Sequence, residues 1–173
     1  ITHVFLQAGV GGMAAGMISG IAKYFKRIPK IIVIEPENAN CVMKSIKFGS
    51  LKKANIQKQS IMGGMSCAEV SLVPWRILKN AVNNCVSVSD KYVPQTLTML
   101  AKKKFSDKSI IAGECSTPGV ISIISCCNDP LVKKKLEVNE KSNILIIGCE
   151  GDTDKNLYNK LYKIGNQKLK KND

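Results

Sequence analysis

Val4-Phe5-Leu6, followed by Gly9-Val10-Gly11-Gly12-Met13-Ala14-Ala15-Gly16, is the stretch on which the fold turns. A short apolar run enters a glycine-dense turn, and Met13, Met17, Ile21 and Ala22 then recur at helical spacing. The pattern reads as strand, turn, helix. Glycines let backbone N–H groups come close to a phosphate, and the helix N-terminus that follows favours negative charge.

Two phosphate ligands fit this turn, and so does a tight strand-to-helix connection with no ligand. Gly9-x-Gly11-x-x-Ala14 matches a dinucleotide fingerprint, and Glu35 ends the next apolar run, Ile31-Ile32-Val33-Ile34, where an acid can hold a ribose hydroxyl. The same turn can instead hold the single phosphate of pyridoxal phosphate (PLP). The fingerprint alone does not separate them.

Composition narrows the classes. The chain has 173 residues, enough for one domain with a real core, and 45% of them are hydrophobic. No window approaches the ~18–20 unbroken apolar residues of a membrane span. No signal peptide is visible, and seven scattered cysteines suggest free thiols in a reducing, cytoplasmic setting. Cys126-Cys127, in an apolar run, reads as small core filling. No paired CxxC or CxxH spacing exists, so no metal site is expected. His3, the only histidine, reads as structural on a buried strand. The formal charge of +13 comes almost entirely from lysine, with few aromatics, which is a solvated surface and not the arginine and stacking chemistry of a nucleic-acid reader.

The rest of the chain repeats the opening unit. Strand 2–7, the turn and a helix to about Phe25 lead to strand 31–34, then to a helix capped by Asn38 and ending near Gly49. Residues 50–60 form a polar connection to a second glycine stretch, Ser60 to Cys67. Ser71 caps a helix with Pro74 in its first turn, Cys85–Val88 is a strand, and Asp90 caps the helix through Leu97. A strand at Ser109–Ala112 is expected to feed Gly113-Glu114, and a buried strand at Asn143–Ile147 to feed Gly148-Cys149-Glu150-Gly151. A last helix carries Leu157, Leu161 and Ile164. The fold class is therefore α/β, an open, mostly parallel sheet with helices on both faces. Several glycine loops gather at the carboxyl ends of its strands, whereas a dinucleotide site normally needs only the first.

In this order the motifs resemble the PLP-dependent enzymes of the tryptophan-synthase-β fold type (fold type II), and within them the diaminopropionate ammonia-lyases. The resemblance is carried by Thr2 to Gly11, Ile34-Glu35-Pro36, Ile61 to Cys67, Trp75-Arg76-Ile77-Leu78, Gly113-Glu114 and Glu150-Gly151-Asp152-Thr153-Asp154. It implies an α,β-elimination that converts 2,3-diaminopropionate to pyruvate and ammonia. It puts Gly9, Val10, Gly11, Gly12 and Met13 on the cofactor's phosphate, Cys149 beside the pyridine nitrogen and Glu114 in a loop facing the ring. It also implies an amino acid substrate, a homodimer and a Schiff-base lysine upstream of this chain, so no catalytic residue is assigned within it.

The opening strand has no initiator Met before it. Residues 1–165 are accordingly expected to be the C-terminal portion of a PLP-binding domain, with 166–173 a disordered basic tail. Ala68, Val70 and Pro118 depart from the family pattern. The competing readings are a serine/threonine dehydratase, an NAD-binding oxidoreductase domain with Glu35 facing the ligand, and an inactive remnant.

Overall fold

The computed structural model describes residues 1–171. Its centre is β1 (His3–Gln7), buried along its length and paired on both sides. Beside it run β2 (Lys30–Pro36), β3 (Asn84–Val88) and β4 (Ile144–Ile146) in the order β3-β2-β1-β4, every neighbouring pair parallel. The chain steps outward from β1 to β2 to β3, then returns to the other side of β1. The winding reverses between β1 and β4, and in such sheets the ligand crevice opens at the carboxyl ends of those two strands.

Side-chain alternation sorts the core into two layers. Val4, Leu6, Ile31 and Val33 pack against α1 (Gly12–Tyr24), α2 (Cys41–Phe48) and α3 (Leu72–Ala81) through Ala14, Ile18, Val42 and Leu78. Phe5, Ile32 and Ile34 point the other way. They meet Leu97 of α4 (Val93–Ala101), Ile121 of α5 (Pro118–Asn128), Leu136 of α6 (Pro130–Leu136) and Leu161 of α7 (Lys155–Lys170). An α/β sheet covered by helices on both faces is the architecture the sequence predicts. No helix among the described residues is long and apolar enough to cross a membrane.

Five local expectations change. Residues 109–112 form no strand: Ile110 and Ile111 are about half exposed, and the Ile110 amide donates to Leu100 instead of to a sheet neighbour. β4 is shorter than 143–147 and only half buried, because it is an edge strand with β1 as its sole partner. Asn38 does not cap α2; its amide reaches the Lys58 carbonyl at 2.8 Å. Asp90 does not cap α4; it accepts from Ser60 Oγ at 2.6 Å and from the Ile61 amide at 3.0 Å, pinning the second glycine stretch. Of the cysteine pair, Cys126 is buried but Cys127 is exposed.

The expected disordered tail is also different. α7 continues through Gly165 to Lys170, and only residues 172 and 173 lie outside the described part. Gly165 does not end the helix, because there it is the contact point with α4. A Cβ at 165 would run into the Pro94 carbonyl and Thr98 Oγ1. Thr98 Oγ1 also lies 3.2 Å from the Tyr162 carbonyl, closing the two helices together. At its start, α7 is capped by Asp154, which accepts from the Leu157 amide at 2.9 Å.

Gly165→Ala is therefore expected to destabilise the protein by about 1–3 kcal/mol through overpacking. Gly20→Ala, where an added Cβ meets nothing within 4 Å, is expected to stabilise α1 by about 0.5–1 kcal/mol. Urea unfolding midpoints with matched slopes check both.

Candidate active site

The loop after β1 is clamped from several sides. The Ser71 amide donates to the Val10 carbonyl at 3.0 Å, and Cys41 Sγ lies 3.6 Å from the Gly9 carbonyl. A Cβ on Gly9 would sit 2.7 Å from the Gly64 carbonyl and 2.9 Å from Cys67 Sγ. Gly11 has φ +92, and a Cβ there would sit 2.7 Å from Leu78 Cδ1. Both positions require glycine for space, and Gly11 requires it for conformation as well. Gly12 differs: nothing lies within 4 Å of an added Cβ, and Val10 and Met13 beside it are exposed. No side chain caps α1, and its first turn carries no acid. The leading amides of a 13-residue helix are thus open at the carboxyl edge of the sheet.

Glu35, at the end of β2, is fully buried. Its two carboxylate oxygens accept from the amides of Val42 and Met43, each at 2.7 Å, so it is the cap that α2 lacks from its own flanking residues. It does not face a ligand, which removes the ribose role that the NAD reading requires. Burial pushes its pKa up to about 7 against the opposing pull of the Met43 and Val42 amides and the Cys41 thiol. Burial, with the nearby Glu35, also holds the Cys41 thiol up to about 12, so it stays a protonated donor toward Gly9.

The opposite wall is made where a 3-10 turn, Glu114–Ser116, meets the loop leaving β4. Ser116 Oγ accepts from the amides of Cys149 at 2.9 Å and Glu150 at 2.7 Å, and donates to the Glu150 carbonyl at 2.7 Å. Glu150 returns the contact: its carboxylate accepts from the Cys115 amide at 2.6 Å and its carbonyl from the Gly113 amide at 3.1 Å. Cys149 Sγ donates to the Cys115 carbonyl at 3.3 Å. Cys149 is exposed, but partial desolvation of its sulfur raises the thiol, and the Ser116 hydroxyl opposes that rise. Burial also raises Glu114, with a smaller push from Glu150 and Asp154. The ligand atoms of Glu114, Cys115 and Glu150 fall within 4.8 Å of one another.

These walls connect. Gly64 approaches Gly9 on one side and Cys115 Sγ on the other, so the β1 loop, the second glycine stretch and the Cys149 loop form one continuous rim. Gln7 ties β1 to β4 by donating to the Ile147 carbonyl at 2.5 Å, while its buried Oε1 has no partner among the described residues. The structure therefore brings Gly9–Met13, Glu114 and Cys149 to one end of the sheet. Ser116, Glu150 and Gln7 join them unforeseen: their partners are 30 or more positions away in sequence, so local pattern carries no signal for them. Of the departures, Pro118 opens α5, where a helix does not need its missing N–H, and Val70 is buried in the layer beside Gly11. His3 is structural, bonded through Nε2 to the Leu136 carbonyl at 3.1 Å.

The family model for pyridoxal-phosphate dependent enzymes matches residues 1–150. The chain belongs to this family. It is 31% identical over 157 residues to diaminopropionate ammonia-lyase of Escherichia coli K12, a match covering 88% of this chain and 39% of that protein. It is 33% identical over 105 residues to the biosynthetic L-threonine dehydratase of Staphylococcus aureus RF122, covering 58% of this chain and 24% of that one. Among solved structures, the E. coli diaminopropionate ammonia-lyase complexed with an aminoacrylate-PLP azomethine reaction intermediate superposes with a TM-score of 0.81 at 30% identity, over 95% of this chain and 42% of that chain. The chain thus spans about 39% of the length of the curated ammonia-lyase it matches.

The residues present fit the family's cofactor. An uncapped helix N-terminus suits a phosphate, a thiol lies on the loop leaving the neighbouring strand, and the Gln7 oxygen is an unused polar group between the two strands that carry those loops.

Because the folded chain holds the Glu35 proton more tightly than an ordinary glutamate, Glu35 favours folding fully below pH 4.5, and that contribution is lost as pH rises through about 7. Glu35→Gln removes the titration. The stability of the wild type relative to this variant is expected to be greatest near pH 4.5 and to decline toward pH 7. Thermal melts across that interval check it, and parallel curves would overturn it.

Proposed function

We propose that this chain supplies the cofactor cradle of a PLP-dependent lyase that eliminates ammonia from 2,3-diaminopropionate, yielding pyruvate and a second ammonia. The observation that carries the reading is the open, acid-free N-terminus of α1, facing the Cys149 loop across the point where the sheet reverses its winding. The 31% identity over 88% of the chain to an enzyme of that activity supports it.

In this reading the amides of Gly9 to Met13 bind the phosphate, and the α1 dipole stabilises its charge. When bound, PLP supplies the electron sink for a carbanion at the substrate α-carbon. Cys149 stands at the ring nitrogen as a neutral partner. Its side chain is exposed, yet partial desolvation of the sulfur raises the thiol and keeps it protonated, so it does not force a fixed positive charge on the ring as a carboxylate would. Glu114, half-buried and raised in pKa, lines the ring-facing loop and orients the cofactor. The lysine that anchors PLP covalently lies outside residues 1–173, so the reaction belongs to the full-length protein, acting on a free amino acid as a homodimer in the cytoplasm.

The second reading is a hydroxyamino acid dehydratase, favoured by the 33% identity over the narrower span. It shares the cradle and differs in the leaving group.

Titrating the full-length protein with PLP is expected to give a bound-cofactor absorbance band, and adding 2,3-diaminopropionate to shift it and release pyruvate. Release of 2-oxobutyrate from threonine, without turnover of diaminopropionate, would select the dehydratase. No band at all would overturn both and leave the inactive remnant. Gly12→Asp, which sets a carboxylate in the open space at the α1 N-terminus, is expected to weaken PLP binding by about tenfold or more.

A further inference from the structure

Ser116 is buried, and its hydroxyl uses its full hydrogen-bonding capacity within one turn. A serine oxygen has two lone pairs and one proton. Here the lone pairs take the Cys149 and Glu150 amides, at 2.9 and 2.7 Å, and the proton goes to the Glu150 carbonyl at 2.7 Å. The loop after β4 belongs to a half-buried edge strand and has no helix or sheet ladder of its own at these residues. Its backbone polar groups at Cys149 and Glu150 are satisfied from the neighbouring turn, at the Ser116 hydroxyl and the Gly113 amide. Ser116 alone reaches both consecutive amides. The Cys149 thiol lies 3.8 Å from the same oxygen and finds its acceptor, the Cys115 carbonyl, only while the turn holds this shape.

We propose that Ser116 is a positioning residue for Cys149: its hydroxyl fixes the backbone of the β4 exit loop so that the thiol is presented to the cofactor's ring nitrogen. The proposal rests on the reading of Cys149 as the ring-nitrogen partner. Without the Ser116 oxygen, two adjacent amides lose their acceptor, the loop turns them toward water, and the thiol moves with them. Glu150 is the second fastener: its carboxylate holds the Cys115 amide at 2.6 Å, so the two loops grip each other in both directions.

The test uses the full-length protein without added PLP and then with it. Site-resolved alkylation of Cys149 by iodoacetamide, followed by mass spectrometry across a pH series, reads the thiol directly. Ser116→Ala is expected to raise the plateau rate of Cys149 alkylation, reached above the thiol's pH midpoint, by about tenfold, the scale of one lost hydrogen-bond anchor. Its pH midpoint is expected to rise, because the hydroxyl that opposes the upward shift of the thiol is lost. Ser116→Thr, which keeps the oxygen, is expected to restore both, and Ser116→Gly to reproduce the alanine result if alanine impairs folding. Cys127, exposed like Cys149 but outside this turn, is the internal control and stays unchanged. With PLP bound, Ser116→Ala and Cys149→Ala are expected to shift the cofactor absorbance alike, with the double variant adding nothing further. Unchanged Cys149 alkylation in folded Ser116→Ala overturns the proposal. Altered alkylation, with the bound-cofactor spectrum indifferent to both substitutions, keeps the Ser116–Cys149 contact and overturns the ring-nitrogen assignment.

Discussion

Everything at the carboxyl end of the sheet depends on the contact of Gly9 and Gly11 with what lies against them. The Gly64 carbonyl and Cys67 Sγ occupy the space a side chain on Gly9 would need, and Leu78 occupies the space at Gly11. The loop is thereby pressed flat between α3 and the second glycine stretch, with Cys41 and Ser71 fastening its carbonyls. A loop held so tightly has little conformational entropy left to lose when a ligand arrives. The one stretch left open is the stretch with unpaired amides, so rigidity and binding capacity come from the same packing.

The electrostatics of the crevice follow from its make-up. The chain carries 26 Lys and Arg residues, yet the groups that shape the ring side are thiols, a serine and two carboxyls. Positive character at the α1 N-terminus comes from backbone dipoles, which cannot be titrated away and need no desolvated lysine. Around Cys149, which is exposed, the thiol is raised toward its neutral form and so is Glu114. The two ends therefore differ in polarity along the axis that a phosphorylated aromatic ring would occupy.

How much of this was legible depended on the distance over which each signal acts. β1, β2, β3 and the helices follow from periodicity, because apolar spacing reports burial directly. Ile110 and Ile111 show the limit: their apolar pattern is that of a strand, but a strand exists only where a neighbour supplies the ladder, and composition does not report neighbours. Gly165 misled for a related reason. A glycine after a helical run signals a stop when exposed and a close crossing when packed, and only the position of α4 distinguishes them. The site was half legible. Gly9 to Met13, Glu114 and Cys149 sit in short motifs, whereas Glu35 as a helix cap and Ser116 as a loop anchor are defined by partners that the fold alone brings near.

The pairing of β1 with β4 joins His3 to Ile144, and so closes nearly the whole described chain into one ladder. Within the described chain, the partner of that β1 edge comes from the far end of the sequence. A parallel pairing of that sequence separation is slow to form, and an unpaired apolar edge meanwhile invites the wrong partner. Gly119, packed so closely on Ile146 that no side chain would fit between them, gives the late strand a seat prepared by α5 before it arrives. The topology thus builds the α1 side of the sheet's carboxyl end from short-range connections and the Cys149 side from a long-range one.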